Sequence, residues 1–434
     1  MPLGFSRVVV FRPRQPGEPG SSRTRAGEAA ARWIAGIALS LVLAVAPKSW
    51  ADAPAASEPV FEVLPIAGEP VSGRIAAIEA DRITIAPAEG PNREFPLNEL
   101  VRLSREVPPA EGAEEGRILF PDGDRLTRTI IIGANDAAIK AQSRTLGGIS
   151  IPLDSALGLI FNPPMTGEGL DRLQQWIRNE PRTSEVARLA NGDRVEGSFA
   201  GLDDRFIRLQ GPGGKPLEFD RAGVEAIGMD PALVVYPRPE GSFLEATLTD
   251  GTRLGLSGAK LGKGELSAVT RFGATVRIPI AEVVRLAART PAIEYLSERA
   301  IDAETHVPYF NSVRPARIDA NIEGRPFRLG GRSYDRGLGT ESRTLLAYKL
   351  KPGDRRFQAL VGVDDRAGPL GSVIFRVLVD GEERFASPAL TFRDPPKAVD
   401  VDLDGAKLLI LITEFGDRGD ARDLADWVEA RIIR

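Results

Sequence analysis

Several polar and aromatic residues in the C-terminal third could together recognise a small polyhydroxylated ligand. Their side chains hydrogen-bond pairs of hydroxyl groups or offer a flat face: Tyr334, Glu341, Arg343, Asp365, Arg366, Asp426 and Trp427. Carboxylates accept hydroxyl protons, guanidinium groups donate to hydroxyl oxygens, and an aromatic ring packs on the apolar side of a sugar ring. These residue types are candidates for contacts with a hydroxyl-bearing ligand. Trp427 also fits a terminal strand pattern in which a core position is the alternative, and Asp365 could instead close an Asx turn.

An aspartate-rich run lies between Gly416 and Asp426. Closely spaced aspartates are typical of calcium-binding loops, so a structural calcium ion is one expectation for this run. The run lacks the Asp-x-Asp-x-Asp-Gly order of an EF-hand, and Arg418 and Arg422 could neutralise its carboxylates. A salt-bridged turn is therefore the favoured interpretation, and no other cofactor is predicted.

The composition removes many catalytic chemistries. The chain has no cysteine and one histidine, His306, which excludes thiolate nucleophiles, disulfides and His-rich zinc sites within one chain. No Gly-x-Ser-x-Gly elbow or phosphate-binding loop occurs. A glycosidase needs two carboxylates across a cleft, and no cleft-forming domain of suitable size remains once the segments below are assigned. We therefore predict a noncatalytic protein in which His306 is solvated or has a packing role.

The charge distribution disfavours polyanionic partners. The formal net charge is -4, and the lysines and arginines are scattered along the chain. Nucleic-acid-binding proteins usually concentrate basic residues on one face or one stretch. We therefore predict no nucleic-acid partner.

The N-terminal segment has the pattern of a signal peptide. Residues 1–32 are rich in arginine, an apolar run from Trp33 to Ala46 follows, and Ser49 and Ala51 are small residues at the -3 and -1 positions before Asp52. The apolar run is too short for a comfortable membrane span. The pattern predicts a signal peptide over residues 1–51, no membrane span after cleavage, and a periplasmic, secreted or cell-surface location. An uncleaved anchor is the alternative.

Four diverged copies of one β-rich unit follow. Each begins with a glycine turn and ends about 28 residues later with a strand, a break and a second apolar stretch. The predicted ranges are 60–106, 113–162, 185–230 and 241–289. Runs such as Arg205 to Leu209 alternate polar and apolar residues, which is typical of half-buried antiparallel strands. A unit of about 45 residues buries little apolar surface. We therefore expect neighbouring units to pack together, or each to close as a small Sm-like or SH3-like barrel.

A helical linker is predicted between the second and third units, over residues 163–184. After the break at Pro163 and Pro164, helical spacing places four apolar side chains on one face: Leu170, Leu173, Trp176 and Ile177. One apolar face is typical of a helix that packs on a neighbouring surface. We expect this helix to cap one pair of units against the other.

The final domain, predicted over residues 290–434, is rich in strands and turns. Asp380 and Gly381 separate two strand-like runs and form an Asp-Gly hairpin signal. Several short strands with almost no helical periodicity indicate an antiparallel sandwich. The fold class is therefore all-β: four small β-barrel-like (Sm/SH3-like) repeats followed by a C-terminal jelly-roll β-sandwich.

This final domain resembles the NPCBM family of carbohydrate-binding modules, which have a galactose-binding-domain-like jelly roll. The similar stretches occur in the same order and are 329–340, 357–365, 371–381 and 423–431. The family commonly has a histidine after the Gly-x-Gly-x turn, where this chain has Glu341. A carboxylate also accepts hydroxyl protons, so the substitution implies a different sugar selectivity.

Together these patterns predict an exported, noncatalytic protein that binds a glycan through the loops of its C-terminal sandwich. The alternative is a structural or protein-interaction scaffold at the cell envelope, in which the β-units bind envelope proteins and the sandwich binds no sugar. Glu341 and the modest aromatic content favour the alternative. The Asp426-Trp427 ending and the Gly-x-Gly turn favour glycan binding.

Overall fold

The computed structural model describes residues 58–108, 115–164, 166–308, 313–417 and 419–434. The predicted signal peptide and Arg418 lie outside these residues. Nearly all regular structure in the described part is antiparallel strand, which confirms the all-β prediction. No helix of the described part is long and apolar enough to cross a membrane.

The strands of the N-terminal region fall within the four predicted units. They are β1 (Val60–Pro65), β2 (Val71–Ile78), β3 (Arg82–Pro87), β4 (Arg93–Pro96), β5 (Leu100–Ser104), β6 (Arg117–Leu119), β7 (Arg125–Leu126), β8 (Thr129–Ala134), β9 (Ala138–Ser143), β10 (Gly147–Pro152), β11 (Gly158–Ile160), β12 (Val186–Leu189), β13 (Arg194–Glu196), β14 (Ser198–Leu202), β15 (Phe206–Gln210), β16 (Pro216–Asp220), β17 (Val224–Gly228), β18 (Phe243–Leu248), β19 (Arg253–Gly262), β20 (Glu265–Thr270), β21 (Thr275–Pro279) and β22 (Val283–Arg289).

One strand order recurs through these units. The first strand of each pairs with the second and with the last, as β1 pairs with β2 and β5. A single 3-10 turn precedes the last strand. In three units a proline ends the strand before that turn, at Pro96, Pro152 and Pro279, because proline donates no hydrogen bond to a ladder. In the other unit the Asp220 carboxylate caps the turn by accepting from the N–H of Ala222, at 3.0 Å.

The units are joined by strand pairing and are not separate barrels. β5 pairs with β22, β11 with β17, and β7 with β19, so strands of all four units lie in one 16-stranded sheet. A six-stranded sheet joins the second and third units through β8 and β14. One apolar core runs through the units. Pairing across units covers edges that such short chains would leave open to solvent.

The linker helix forms as the apolar spacing predicts. α1 (Gly167–Asn179) begins after Thr166, whose hydroxyl accepts from the N–H of Gly169, at 3.1 Å. It buries Leu170, Leu173, Trp176 and Ile177, the four residues of the predicted face. They pack against Leu119 and Ile160 of the second unit and Val186 and Ala226 of the third.

The C-terminal region is a sandwich of two antiparallel sheets. Its strands are β23 (Ile293–Tyr295), β24 (Ala303–His306), β25 (Arg317–Ile318), β26 (Phe327–Leu329), β27 (Arg332–Tyr334), β28 (Gly337–Thr340), β29 (Thr344–Lys349), β30 (Arg356–Val363), β31 (Val373–Val379), β32 (Glu382–Ala386), β33 (Lys397–Asp402), β34 (Leu408–Phe415) and β35 (Ala425–Ile433). One sheet has the order β25-β28-β35-β30-β33, and the other has the order β24-β29-β34-β31-β32. The inward side chains of both sheets form one apolar core.

Ion pairs join the sandwich to the β-units. Arg336 places one guanidinium nitrogen 2.8 Å from Glu245 of β18 and another 2.6 Å from Glu298. Asp335 lies 3.0 Å from Arg125 of β7. Glu429 of β35 pairs with Arg285 of β22 at 2.8 Å. Several of these charges are buried, and such groups are stable only when paired, so the pairs fix the sandwich on the units.

Candidate functional site

The two sheets of the sandwich bring their loops together at one end. Thr340 pairs with Ala425 in one sheet, and Thr344 pairs with Thr413 in the other. The turn at Glu341 therefore crosses from the first sheet to the second at the same end as the segment that precedes β35. We refer to this region as the loop end.

Glu341 lies at the centre of the loop end with two basic groups beside it. Its carboxylate oxygens are 3.4 Å from a guanidinium nitrogen of Arg314 and 3.9 Å from Nε2 of His306. Burial, with repulsion from Asp420, raises the pKa of Glu341, although Arg314 and His306 act in the opposite direction. The Glu341 side chain is 14% exposed, and it lines a small pocket that is open to the surface.

The pocket at Glu341 has a volume of about 270 Å³. Its charged lining residues are Arg314, Glu323, Glu341, Asp420 and Arg422. Three acids against two arginines give a net charge of -1, with Pro308 and Leu424 as the apolar part of the wall. An acid-rich pocket of this size suits a hydroxyl-bearing ligand better than an anion, because carboxylates accept hydroxyl protons and repel negative groups.

A buried carboxyl group supports the turn from behind. Asp423 accepts hydrogen bonds from the hydroxyl of Ser342 and, at 2.8 Å, from the N–H of Ser372. Burial, together with the charges of Asp420 and Glu341, raises the pKa of Asp423 to about 6. The carboxyl ties the turn after Glu341 to the segment before β31.

The chain's single histidine contributes to this site, which the sequence analysis did not predict. The side chain of His306 is 2% exposed, and its Nδ1 accepts from the N–H of Arg314 at 2.9 Å. That bond leaves the ring proton on Nε2, the nitrogen that faces Glu341. His306 reaches Glu341 because β24 pairs with β29, with His306 opposite Thr344. No local pattern in the sequence reveals this pairing.

Arg343 also lies at the loop end. Its side chain is exposed, and its guanidinium lies 5.8 Å from the ring centroid of Phe415, the last residue of β34. Its φ of 59° is in the left-handed region. Phe415 is half-buried, so its ring is an aromatic surface at the loop end.

Trp427 and Asp426 are core residues, which corrects their prediction as sugar contacts. Trp427 is fully buried, its ring packs edge-on against Phe375 with centroids 5.1 Å apart, and its Nε1 donates to the hydroxyl of Thr413 at 3.2 Å. Asp426 is also fully buried. Burial and the neighbouring charge of Asp364 keep the pKa of Asp426 well above its usual range. Neither side chain can reach a ligand at the surface.

Tyr334 and Asp365 are placed away from Glu341, so the structure does not assemble the predicted site as a whole. Tyr334 is half-buried and lines a different cleft, between the sandwich and the β-units. The Asp365 carboxylate accepts from the N–H groups of Gly330 and Gly331, both at 2.9 Å. Asp365 therefore holds a turn, as Asp364 does by accepting from the N–H of Arg366 at 2.9 Å.

Two further predictions concern arginines near the loop end. Arg366 donates to the carbonyl oxygen of Pro326 at 2.7 Å and lies 3.7 Å from Asp171 of α1, so it links the sandwich to the linker helix. Arg422 lies 3.3 Å from Glu323, outside the aspartate-rich run, and so does not neutralise that run internally.

Among the described residues no group of three or more acidic or histidine side chains is arranged to hold a metal ion. Calcium binding stays the less favoured, untested alternative to a salt-bridged turn.

Comparisons with known proteins identify the family of the C-terminal region. Residues 294–433 match the family model described as the NPCBM/NEW2 domain. A Renibacterium salmoninarum protein provisionally named endo-alpha-N-acetylgalactosaminidase is 29% identical over 114 residues, which are 26% of this chain and 8% of that protein. The alpha-1,3-galactosidase B of Akkermansia muciniphila is 27% identical over 148 residues, 33% of this chain and 17% of the relative. The matches thus span a small part of each curated relative.

Solved structures similar to this chain include the CBM51 module from Clostridium perfringens GH95 in complex with methyl-galactose. It is 28% identical, and the match covers 32% of this chain and 99% of that one, with a TM-score of 0.30. By the family match, residues 294–433 of this chain are an NPCBM/NEW2 domain.

Proposed function

We propose that the chain is an exported, noncatalytic protein that binds a neutral glycan at the loop end of its NPCBM/NEW2 domain. One observation carries the proposal: Glu341 opens into an acid-rich pocket at the end of a domain whose family is that of carbohydrate-binding modules. The loop end is built from residues of several strands, which is the usual way in which a β-sandwich presents a ligand site.

The chemistry of the pocket supports binding of sugar hydroxyls. Glu341 and Asp420 accept hydroxyl protons, and Arg314 donates. Leu424 and Pro308 supply the apolar part of the wall. The role of Glu341 is that of an acceptor held by His306 and Arg314, and no chemical step is assigned to it.

A glycan array with the full chain tests the proposal. The full chain is preferred to an isolated fragment because residues of the β-units compensate Arg336, Asp335 and Glu429. We expect binding to neutral galactose-containing or N-acetylhexosamine-containing glycans. A folded chain that binds no neutral glycan would refute the proposal and favour the interaction scaffold.

The role of Glu341 is tested by calorimetry on the best glycan from the array. Glu341→Gln removes one negative charge without changing the shape of the side chain, and we expect affinity to fall about tenfold, as for loss of a charge-assisted hydrogen bond. The matched control is Glu382→Gln, an exposed glutamate in β32. The pairing of Val379 with Leu409 and of Val373 with Phe415 places Glu382 at the opposite end of the sheet. Equal affinities for the two variants would contradict the assignment.

Noncatalytic behaviour is tested separately. We expect no release of reducing sugar when the full chain is incubated with the polysaccharides that contain the bound glycan. Export is tested by expressing the chain from its first residue and sequencing the N-terminus of the extracytoplasmic product, which we expect at Asp52. A product found only in the cytoplasm would contradict export.

A further inference from the structure

A second and larger cleft lies on another face of the NPCBM/NEW2 domain, where this domain meets the β-units. We call it the interdomain groove. Its volume is about 1160 Å³, slightly above the roughly 300–1,000 Å³ of ligand pockets. It shares no lining residue with the pocket at Glu341.

The floor of the interdomain groove is one face of the large sheet. Arg285 of β22 pairs with Ser104 of β5, and Arg102 pairs with Ala287, so Arg102, Ser104 and Arg285 point to the same side. Glu62 of β1 pairs with Ser104 and shares that side. Glu429 enters from β35 of the sandwich and accepts two bonds from Arg285, at 2.8 and 2.9 Å.

Positive charge is in excess at this floor. The buried carboxyl of Glu429 is attracted by three positive charges, those of Arg285, Arg102 and Arg431. They hold the pKa of Glu429 below its usual value. Over the whole groove, six arginines and four acidic residues line the surface, an excess of two positive charges. The balance is thus opposite in sign to that of the pocket at Glu341, whose lining carries -1.

Arg102 is the residue of the floor whose charge is least compensated. Its side chain is half-buried, and among the described residues it makes no hydrogen bond or ion pair. Burial, and then repulsion by Arg285, lowers its pKa. A guanidinium group removed from water without a partner is costly, and its planar fork matches a carboxylate or sulfate group. The guanidinium of Arg102 therefore offers a preformed site for an anionic group.

The wall on the sandwich side supplies other features of a saccharide site. Tyr334 presents a half-buried ring, and Gly330 and Gly331 form an exposed turn that the Asp365 carboxylate holds in place. Both glycines have φ in the left-handed region, at 57° and 79°, which glycine adopts without strain. An aromatic face beside a side-chain-free turn lets a flat sugar ring approach closely.

We propose that the interdomain groove is a second saccharide site, selective for a glycan segment that carries carboxylate or sulfate groups. Arg102 and Arg285 contact the anionic group, and the ring of Tyr334 packs on a neighbouring sugar. The groove is independent of the site at Glu341, so the two proposals succeed or fail separately.

Calorimetry with the full chain tests the second site. The probes are tetragalacturonic acid, its fully methyl-esterified form, and a chondroitin sulfate tetrasaccharide. We expect at least one of the two anionic probes to bind and the neutral ester not to bind. We also expect binding to weaken when sodium chloride is raised from 0.05 to 0.3 M, because screening weakens exposed charge pairs. Binding of the ester as tightly as the acid, or no binding of either anionic probe, would overturn the proposal.

Variants locate the binding. Arg102→Gln should weaken anion binding about tenfold, and Arg102→Lys should restore part of it because the charge returns without the fork. If Arg102→Gln does not fold, Arg332→Gln at the exposed rim should still weaken binding about threefold. The control is Arg277→Gln, an exposed arginine of β21 outside the groove.

Three further results distinguish this site from others. Binding of the neutral array glycan at Glu341 should be unchanged by Arg102→Gln. Competition by equimolar inorganic sulfate would reduce the groove to a simple anion site and overturn the saccharide assignment. Binding of tetraglutamate as tightly as the anionic saccharides would overturn it in favour of an acidic peptide.

Discussion

Two regions of the NPCBM/NEW2 domain carry charged side chains: the face that contacts the β-units, and the loop end. In the first the buried charges have close partners of opposite sign, and in the second the acids have few basic partners. On the face that contacts the β-units, Arg336 lies between Glu245 and Glu298, and Glu429 is paired with Arg285. At the loop end, Glu341 has one arginine at 3.4 Å, and the carboxyl of Asp423 has hydroxyl and amide donors but no basic partner closer than 4 Å among the described residues.

This difference changes the protonation of the acids. Burial alone would raise the pKa of Glu245, yet Arg253 and Arg336 hold it well below its usual range. At the loop end the hydrogen bonds from Ser342 and Ser372 offset the effect of burial only in part, and the pKa of Asp423 rises to about 6. Paired buried charges fix one domain on another. At the loop end Glu341 and Asp420 line the pocket and are available to a ligand, whereas the buried Asp423 only supports the turn.

The largest effect is expected when the paired face is broken. Arg336→Ala leaves Glu245 and Glu298 with one basic partner fewer in a buried setting, and we expect a loss of about 3–5 kcal/mol in the free energy of unfolding. Urea denaturation followed by tryptophan fluorescence measures it. The exposed pair of Arg384 with Glu382 is the control, and Arg384→Ala should cost less than about 1 kcal/mol. Similar losses for both variants would show that the interdomain pairs carry no special stability.

A smaller loss of stability is expected from a substitution in the core of the sandwich. Trp427→Phe removes the bond to Thr413 and leaves a cavity against Phe375, and we expect a loss of about 2 kcal/mol in the free energy of unfolding. Glycan affinity at the loop end should not change in the folded variant. A fall in affinity without a fall in stability would restore Trp427 as a ligand contact.

The smallest effect is expected from the pH dependence of the loop end. The folded state raises the pKa of Asp423 to about 6, above the ordinary value of about 3.9 for a carboxyl in an unfolded chain. Between these values the folded state binds more protons, so the contribution of this group to stability is lost as pH rises from about 4 to 7. We expect Asp423→Asn, compared with wild type, to remove a fall of the order of 1–2 kcal/mol over that range.

Urea denaturation at closely spaced pH values measures this difference. The control is Asp404→Asn, an exposed aspartate after β33, which should leave the pH profile unchanged. A variant Asp423→Asn with the same pH profile as wild type would show that Asp423 does not titrate in this range.

Part of the candidate site could be predicted from the sequence. Glu341 was placed in a loop by the turn that precedes it, and the structure has it at the loop end beside Arg343. Trp427 was assigned to the site by its aromatic type, but every residue of β35 is buried. The second sheet covers Trp427 through Phe375, and Phe327 and Leu329 pack against the neighbouring Val428. His306 was missed because its partner strand is β29, a pairing between segments with no shared local pattern.

Local sequence patterns predict the β-rich units, the linker helix with its four buried residues, and the family of the final domain. These follow from periodicity, turn residues and ordered motifs, all of which are local. Three features are visible only in the folded chain: the units share one sheet, His306 faces Glu341, and Arg102 and Tyr334 line one groove. Each depends on strand register or domain contact between distant segments, which local patterns do not encode.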